Sequence, residues 1–140
     1  MKKVKFSKFE MEDIEYKEAR QKLPDNIYKT ISSFANAKGG TVILGIKQET
    51  DKLIQQGVEN PQILIDDLVS TVSQKFNFCP IIKPTIEEIR NKYLVRIQIE
   101  EAPKYEKPIY IKDAGPLRGG YKRVGSVDVH FYDVVERFPV

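Results

Sequence analysis

Apolar residues recur along this chain with two periods, and the switches between them mark out its elements. Ile27, Ile31, Phe34 and Ala35 fall at i, i+4, i+7 and i+8, the apolar stripe of an amphipathic helix. Pro24 or Asp25 opens that helix, since proline and an acid both suit a first turn, and it runs to about Ala37. Gly39 and Gly40 stop it, because glycine adopts the left-handed conformation without a Cβ penalty. Lys38 in the last turn suits the negative end of the dipole. Residues 41–47 are β-branched, mostly apolar and too few for a helix, so they predict a core strand. A polar turn over 48–52 leads to a short return strand that starts at Leu53-Ile54 and ends at Gly57.

Asn60-Pro61 supplies an N-cap and an N1 proline for a second helix, with Leu64, Leu68 and Val72 at i, i+4 and i+8 and Ile65 and Phe76 beside them. Cys79-Pro80 and Lys83-Pro84 end it. Residues 84–89 and Lys92–Ile99 then read as strands around the turn Arg90-Asn91. In the second strand Tyr93, Val95, Ile97 and Ile99 alternate with Leu94, Arg96 and Gln98, which buries one face. The flanks are shorter. Residues 6–17 predict a first strand region with Phe9, Ile14 and Tyr16 as core candidates. Residues 101–107 form a polar connection, 109–111 a short strand, and 114–120 a Gly/Pro-rich loop. Tyr121–Val124 forms another strand, and Ser126 or Asp128 begins a last short helix through Val134 and Val135. The sum predicts an α+β fold, a single domain over residues 1–140, with a mixed β-sheet and two principal helices packed on it.

Composition narrows the class. With 41% hydrophobic and 31% charged residues among 140, the chain reads as one soluble globular domain. No apolar run approaches the roughly 20 residues of a membrane span. The start, MKKVKFSKFE, is basic but lacks the apolar stretch of a signal peptide. Cys79 is the sole cysteine, so no disulfide framework exists, and a cytoplasmic setting without membrane contact is expected. Net charge is +3, from 23 basic and 20 acidic residues, but its distribution is uneven. Lys2, Lys3, Lys5 and Lys8 come with no acid among them. Between 103 and 123, Lys104, Lys107, Lys112, Arg118, Lys122 and Arg123 face only Glu106 and Asp113. Such basic ends permit a face that binds polyanions; a solvated lysine-rich surface is the plainer alternative.

Four blocks together resemble the Schlafen-type AlbA-like domain family. Glu10 to Lys17 is similar to the family's Glu-x4-Glu-Phe-Lys. Ser33-Phe34-Ala35-Asn36-Ala37-Lys38-Gly39-Gly40-Thr41 is similar to its AFANT-GG signature. Leu44-Gly45-Ile46 is followed by a polar turn and Gln56-Gly57-Val58, and Tyr121-Lys122-Arg123-Val124-Gly125-Ser126 resembles its Y-x-R-x-G-S. The resemblance spans nearly the whole chain. It implies an AlbA-like Schlafen core and a nucleic-acid partner, DNA ahead of RNA, as in a transcriptional regulator. Relatives often carry a helix-turn-helix or ATPase region as well; this chain is expected to be a stand-alone domain or one cut from a larger protein.

Two constellations carry candidate chemistry. Glu15 and Lys17 share one face of a strand, and with a further carboxylate they could hold a divalent metal for phosphodiester cleavage. The resemblance implies that nuclease members place catalytic carboxylates at Glu10 and Glu15. Where a third acid follows the Gly-Ile strand, Lys47 and Gln48 stand here, with Glu49 and Asp51 out of register. A metal-dependent endoribonuclease using Glu10, Glu15 and Lys17 is therefore the alternative, and a non-enzymatic domain without cofactor or metal is the first reading. The structural alternative for the cluster is that Glu15 pairs with Lys17 or Arg123. The second constellation is Tyr121, Lys122 and Arg123 beside Arg118-Gly119-Gly120. The cations suit phosphates, the tyrosine face suits a base, and the glycines could present backbone N–H groups as a nest. The predicted nucleic-acid contacts are Lys17, Lys38, Arg118, Tyr121, Lys122 and Arg123. A hairpin turn around a core tyrosine is the competing reading.

Lys38-Gly39-Gly40 lacks the Walker pattern, and His130 has no nucleophile signature beside it. One cysteine and one histidine exclude a zinc site, and Cys79 is expected to pack against apolar neighbours. A third possibility is a homodimerisation or protein-interaction domain in which short strands such as 109–111 pair between subunits.

Overall fold

The computed structural model describes residues 13–131. At its centre β1 (Ile14–Lys17) runs parallel to β2 (Gly40–Leu44), which pairs antiparallel with β6 (Lys92–Ile99); β6 pairs antiparallel with β5 (Ile82–Ile89). This gives a mixed four-stranded sheet in the order β1-β2-β6-β5. α1 (Ile27–Asn36) and α2 (Pro61–Lys75) cover one face. Ile27, Ile31, Phe34 and Ala35 of α1 and Leu64, Leu68 and Val72 of α2 meet Val42, Leu44, Val95, Ile97 and Ile99 in the main core. Each fully buried aliphatic side chain there contributes about 1.5–3 kcal/mol. The α+β architecture with two principal helices on a mixed sheet is thus the one that the apolar periods predict.

α1 begins at Ile27, later than proline and acid suggested. Pro24, Asp25 and Asn26 make a turn in which the Ile27 N–H donates to the Pro24 carbonyl. It ends at Asn36, so Lys38 stands beyond the last turn. Gly39 takes φ +79° and donates its N–H to the Phe34 carbonyl, the αL stop that a double glycine predicts. The strand expected over 41–47 is two strands. Gly45, at φ +103°, breaks the run, and β3 (Ile46–Glu49) leaves the sheet to pair with β4 (Lys52–Gln55). A Cβ at Gly45 would sit 2.8 Å from Leu94 Cδ2, so only glycine allows this corner against β6. Leu94, on the opposite face from Val95, joins Tyr16, Ile43 and Ile46 in a smaller core. Tyr93, read as a buried position, is 42% exposed at the start of β6, next to the two-residue turn of Arg90 and Asn91, both at positive φ.

Further corrections fall in the last third. Residues 109–111 make single bridges to Phe76 and Gly120, not a strand, and Ile109 is fully buried with its N–H donated to Asn36 Oδ1. Their N–H groups are donated within the chain to Asn36, Asn77 and the Gly119 carbonyl. Part of the Gly/Pro-rich loop is a short helix, α3 (Gly115–Gly119). Instead of a helix opening at Ser126 or Asp128, β8 (Val127–His130) returns along β7 (Tyr121–Val124) around Gly125 at φ +63°. Cys79 is exposed rather than packed. Residues 6–12, with Phe9 and Glu10, and the stretch with Val134 and Val135 lie outside the described residues.

Candidate nucleic-acid interface

β1 and the β7–β8 hairpin meet across the first turn of α1, and there the chain buries four charges. Glu15 and Lys17 alternate with Tyr16, so both point to the helix-covered face. Glu15 Oε2 lies 3.2 Å from Lys17 Nζ, and Glu15 Oε1 lies 3.3 Å from Arg123 Nη1. Arg123 Nη1 also donates to Asp128 Oδ1 at 2.8 Å, and its guanidinium lies 4.7 Å from the centre of the Phe34 ring. The Thr30 hydroxyl sits 2.6 Å from Glu15 Oε2 and 2.8 Å from Asp128 Oδ2, and donates to one of them at a time. Lys17 Nζ donates to Asn26 Oδ1 at 2.8 Å. Two carboxylates, two cations and a hydroxyl therefore satisfy one another inside the protein.

This burial corrects two of the residues expected to contact phosphates. The Arg123 side chain is fully buried and that of Lys17 is 7% exposed, so neither presents its charge to a ligand. Both pairings that the sequence offers for Glu15, with Lys17 and with Arg123, occur together. Asp128 is the partner the sequence reading missed, because it was expected to open a helix; its place opposite Arg123 in the hairpin puts the two side by side. Glu15 is thus engaged by Lys17, Thr30 and Arg123; Glu10, the other carboxylate of the metal-dependent alternative, lies outside the described residues.

The other predicted contacts are scattered. Lys38 is exposed but stands past the far end of α1, in a cleft with Asp13, Glu100 and Glu101. From the first turn of α1 that is about 15 Å away along the helix. Arg118 and Lys122 are exposed near the hairpin. Gly119 and Gly120 are buried, and a Cβ on either would strike the Ile111 carbonyl or the Phe131 ring; they serve close packing and not a phosphate nest.

Tyr121 belongs to a different assembly. It lines a groove with Lys22, Lys29 and Lys75, with Tyr28, Leu23 and Ile111 among the other walls and a volume of about 490 Å³. Among the described residues, none of the three lysines makes an ion pair, although Asp25 and Asp67 line the same groove. Lys75 Nζ lies 4.8 Å from the centre of the Tyr28 ring. Burial raises the Tyr28 phenol above its ordinary value; a hydrogen bond with Thr71 opposes this, and Asp67 adds to it. Burial likewise raises Tyr121, with Asp128 contributing. The exposed Lys112 donates its N–H to the Lys75 carbonyl, which extends the basic rim. Lys22, Tyr28 and Lys29 lie close together in the sequence, but the groove went unnoticed because Lys75 and Tyr121 reach it only through the fold.

Comparison with known proteins adds the family. The sequence model described as Schlafen, AlbA_2 matches residues 10–131. The chain belongs to the Schlafen AlbA_2 family. Its fold is similar to the solution structure of the N-terminal domain of a "Putative ATP-dependent DNA Helicase RecG-related Protein" from Nitrosomonas europaea. That likeness has 28% identity and a TM-score of 0.65, over 82% of this chain and 80% of that one. The DIP2311 protein from Corynebacterium diphtheriae shares the fold at 18% identity and TM-score 0.61, with 90% of this chain matching 24% of that one. Among curated proteins no match was found. In this AlbA_2 domain three charged members of the first and last signature blocks, Glu15, Lys17 and Arg123, meet inside the fold, while Tyr121 reaches the groove. No helix among the described residues is long and apolar enough to cross a membrane.

Proposed function

We propose that this AlbA_2 domain binds nucleic acid, DNA ahead of RNA, through backbone phosphates held in the Lys22–Lys29–Lys75 groove. The observation that carries this reading is that three lysines without ion pairs converge beside two tyrosines in one concave site. A cation already matched to a carboxylate gains little from a phosphate; an unmatched one gains its full attraction and releases counterions from the polyanion. The family and the DNA-helicase-related name of a structural neighbour support the same ligand class. Lys112 and Lys122, exposed on nearby segments, would lengthen the track along the strand.

Fluorescence anisotropy of labelled DNA and RNA, without added metal, tests the reading. Binding should weaken steeply between low and near-physiological salt, with a log–log slope of about −2 to −3 for three phosphate contacts. Lys29→Ala/Lys75→Ala should weaken binding about tenfold or more and flatten that slope by more than one. Flat anisotropy with every ligand at low salt, or an unchanged slope in the double variant, would sink it.

A further inference from the structure

The geometry of the groove bears on which form of nucleic acid enters it, an inference that rests on the reading above. Duplex DNA is most often read by an exposed helix lying in its major groove. None of the three helices among the described residues suits that task. α1 has seven of its ten residues buried. The exposed side of α2 carries Asp66, Ser70 and Ser73, and the helix has no basic residue before Lys75 in its last turn. α3 has five residues. The basic site is instead concave, about 490 Å³, which suits a ligand of nucleotide size entering the protein. A duplex keeps its bases stacked inside a rod and would offer the groove only its outer phosphates.

Tyr121 is prepared as a platform. Its N–H donates to Ser32 Oγ and its carbonyl accepts from Asn36 Nδ2, both at 3.0 Å, so α1 clamps the backbone on both sides. Its ring packs against His130, with centroids 4.3 Å apart and planes inclined by 36°. The ring is therefore fixed before any ligand arrives, which lowers the ordering cost of stacking on it. Tyr28 is different: the Lys75 ammonium lies over its ring, so Tyr28 positions a cation. We propose that the groove takes single-stranded nucleic acid, with one base stacked on Tyr121 and its flanking phosphates on the groove lysines. Cations interleaved with an aromatic face are how single strands are held without regard to sequence.

The test uses the 140-residue protein with single-stranded DNA, single-stranded RNA and a duplex of the same sequence, at one low salt concentration. The single strand should bind at least about tenfold tighter than the duplex. Tyr121→Ala should weaken single-strand binding about tenfold, and Tyr121→Phe, which keeps the ring, should restore it. Equal or tighter duplex binding that still needs Lys29 and Lys75 overturns this inference while the polyanion reading stands; no binding to any ligand ends both. Single-strand preference with Tyr121→Ala unaffected removes the platform. If circular dichroism shows that Tyr121→Ala does not fold, 5-iodouracil oligonucleotides crosslinked to the unaltered protein decide. A crosslinked peptide containing Tyr121 supports the proposal, and crosslinks confined to other peptides overturn it. The DNA and RNA arms separate the two sources of the strand.

Discussion

At Gly40 a Cβ atom would run into the ring of Phe34, which is itself fully buried on the core side of α1. At Gly39 the constraint is partly the backbone, φ +79°, and partly space, since a Cβ there would lie 2.7 Å from the Ile99 carbonyl oxygen. The helix-stopping role of the pair was legible in the sequence because it follows from glycine's own conformational range. The packing role of Gly40 was not, because Phe34 reaches it only after the chain has reversed. Gly40→Ala is therefore expected to cost roughly 1–3 kcal/mol by overpacking, read as a lower urea midpoint at constant slope. A midpoint equal to that of the unaltered chain would show that the Phe34 ring can give way.

The β7–β8 hairpin shows what element-level reading misses. Tyr121–Val124 was legible as a strand, but its partner was read as a helix start, since an Asp or Ser before apolar residues signals an N-cap as readily as a turn. Gly125 and the β-branched Val127 and Val129 decide for a hairpin once β7 is there to pair with. The hairpin is fastened to the body through polar groups: Ser32 and Asn36 on the Tyr121 backbone, and Arg123 between Glu15 and Asp128. Arg123→Ala leaves two carboxylates buried without their shared cation, and breaking such a pair costs about 3–5 kcal/mol. Thermal unfolding of Arg123→Ala, Glu15→Gln and the double variant measures it. The double variant should lose clearly less than the two single losses combined, because both act on one network. Additive losses would mean that the pair does not couple.

For the molecule as a whole, the sheet separates two cores: helices cover one face, and the β3–β4 hairpin covers the smaller cluster around Tyr16, Ile43, Ile46 and Leu94 on the other. Global stability also carries a pH signature from the groove. Tyr28 and Tyr121 are both raised by burial, so the folded protein holds their protons more tightly than the unfolded chain does. Their contribution is complete below the ordinary tyrosine value near 10 and is lost as pH rises through the higher folded values. The melting temperature should accordingly fall above about pH 10, and fall less in Tyr28→Phe/Tyr121→Phe; an identical decline in the double variant would place the alkaline effect elsewhere. The sequence by itself determined the two main helices, the β5–β6 hairpin, the glycine stop and the α+β class, because each follows from periodicity and local backbone preference. Only the tertiary structure decided that Lys17 and Arg123 are sealed inside while Lys22, Lys29 and Lys75 line a groove. Whether a charge is buried or available depends on which distant carboxylates and chain segments close over it, and no local pattern encodes that.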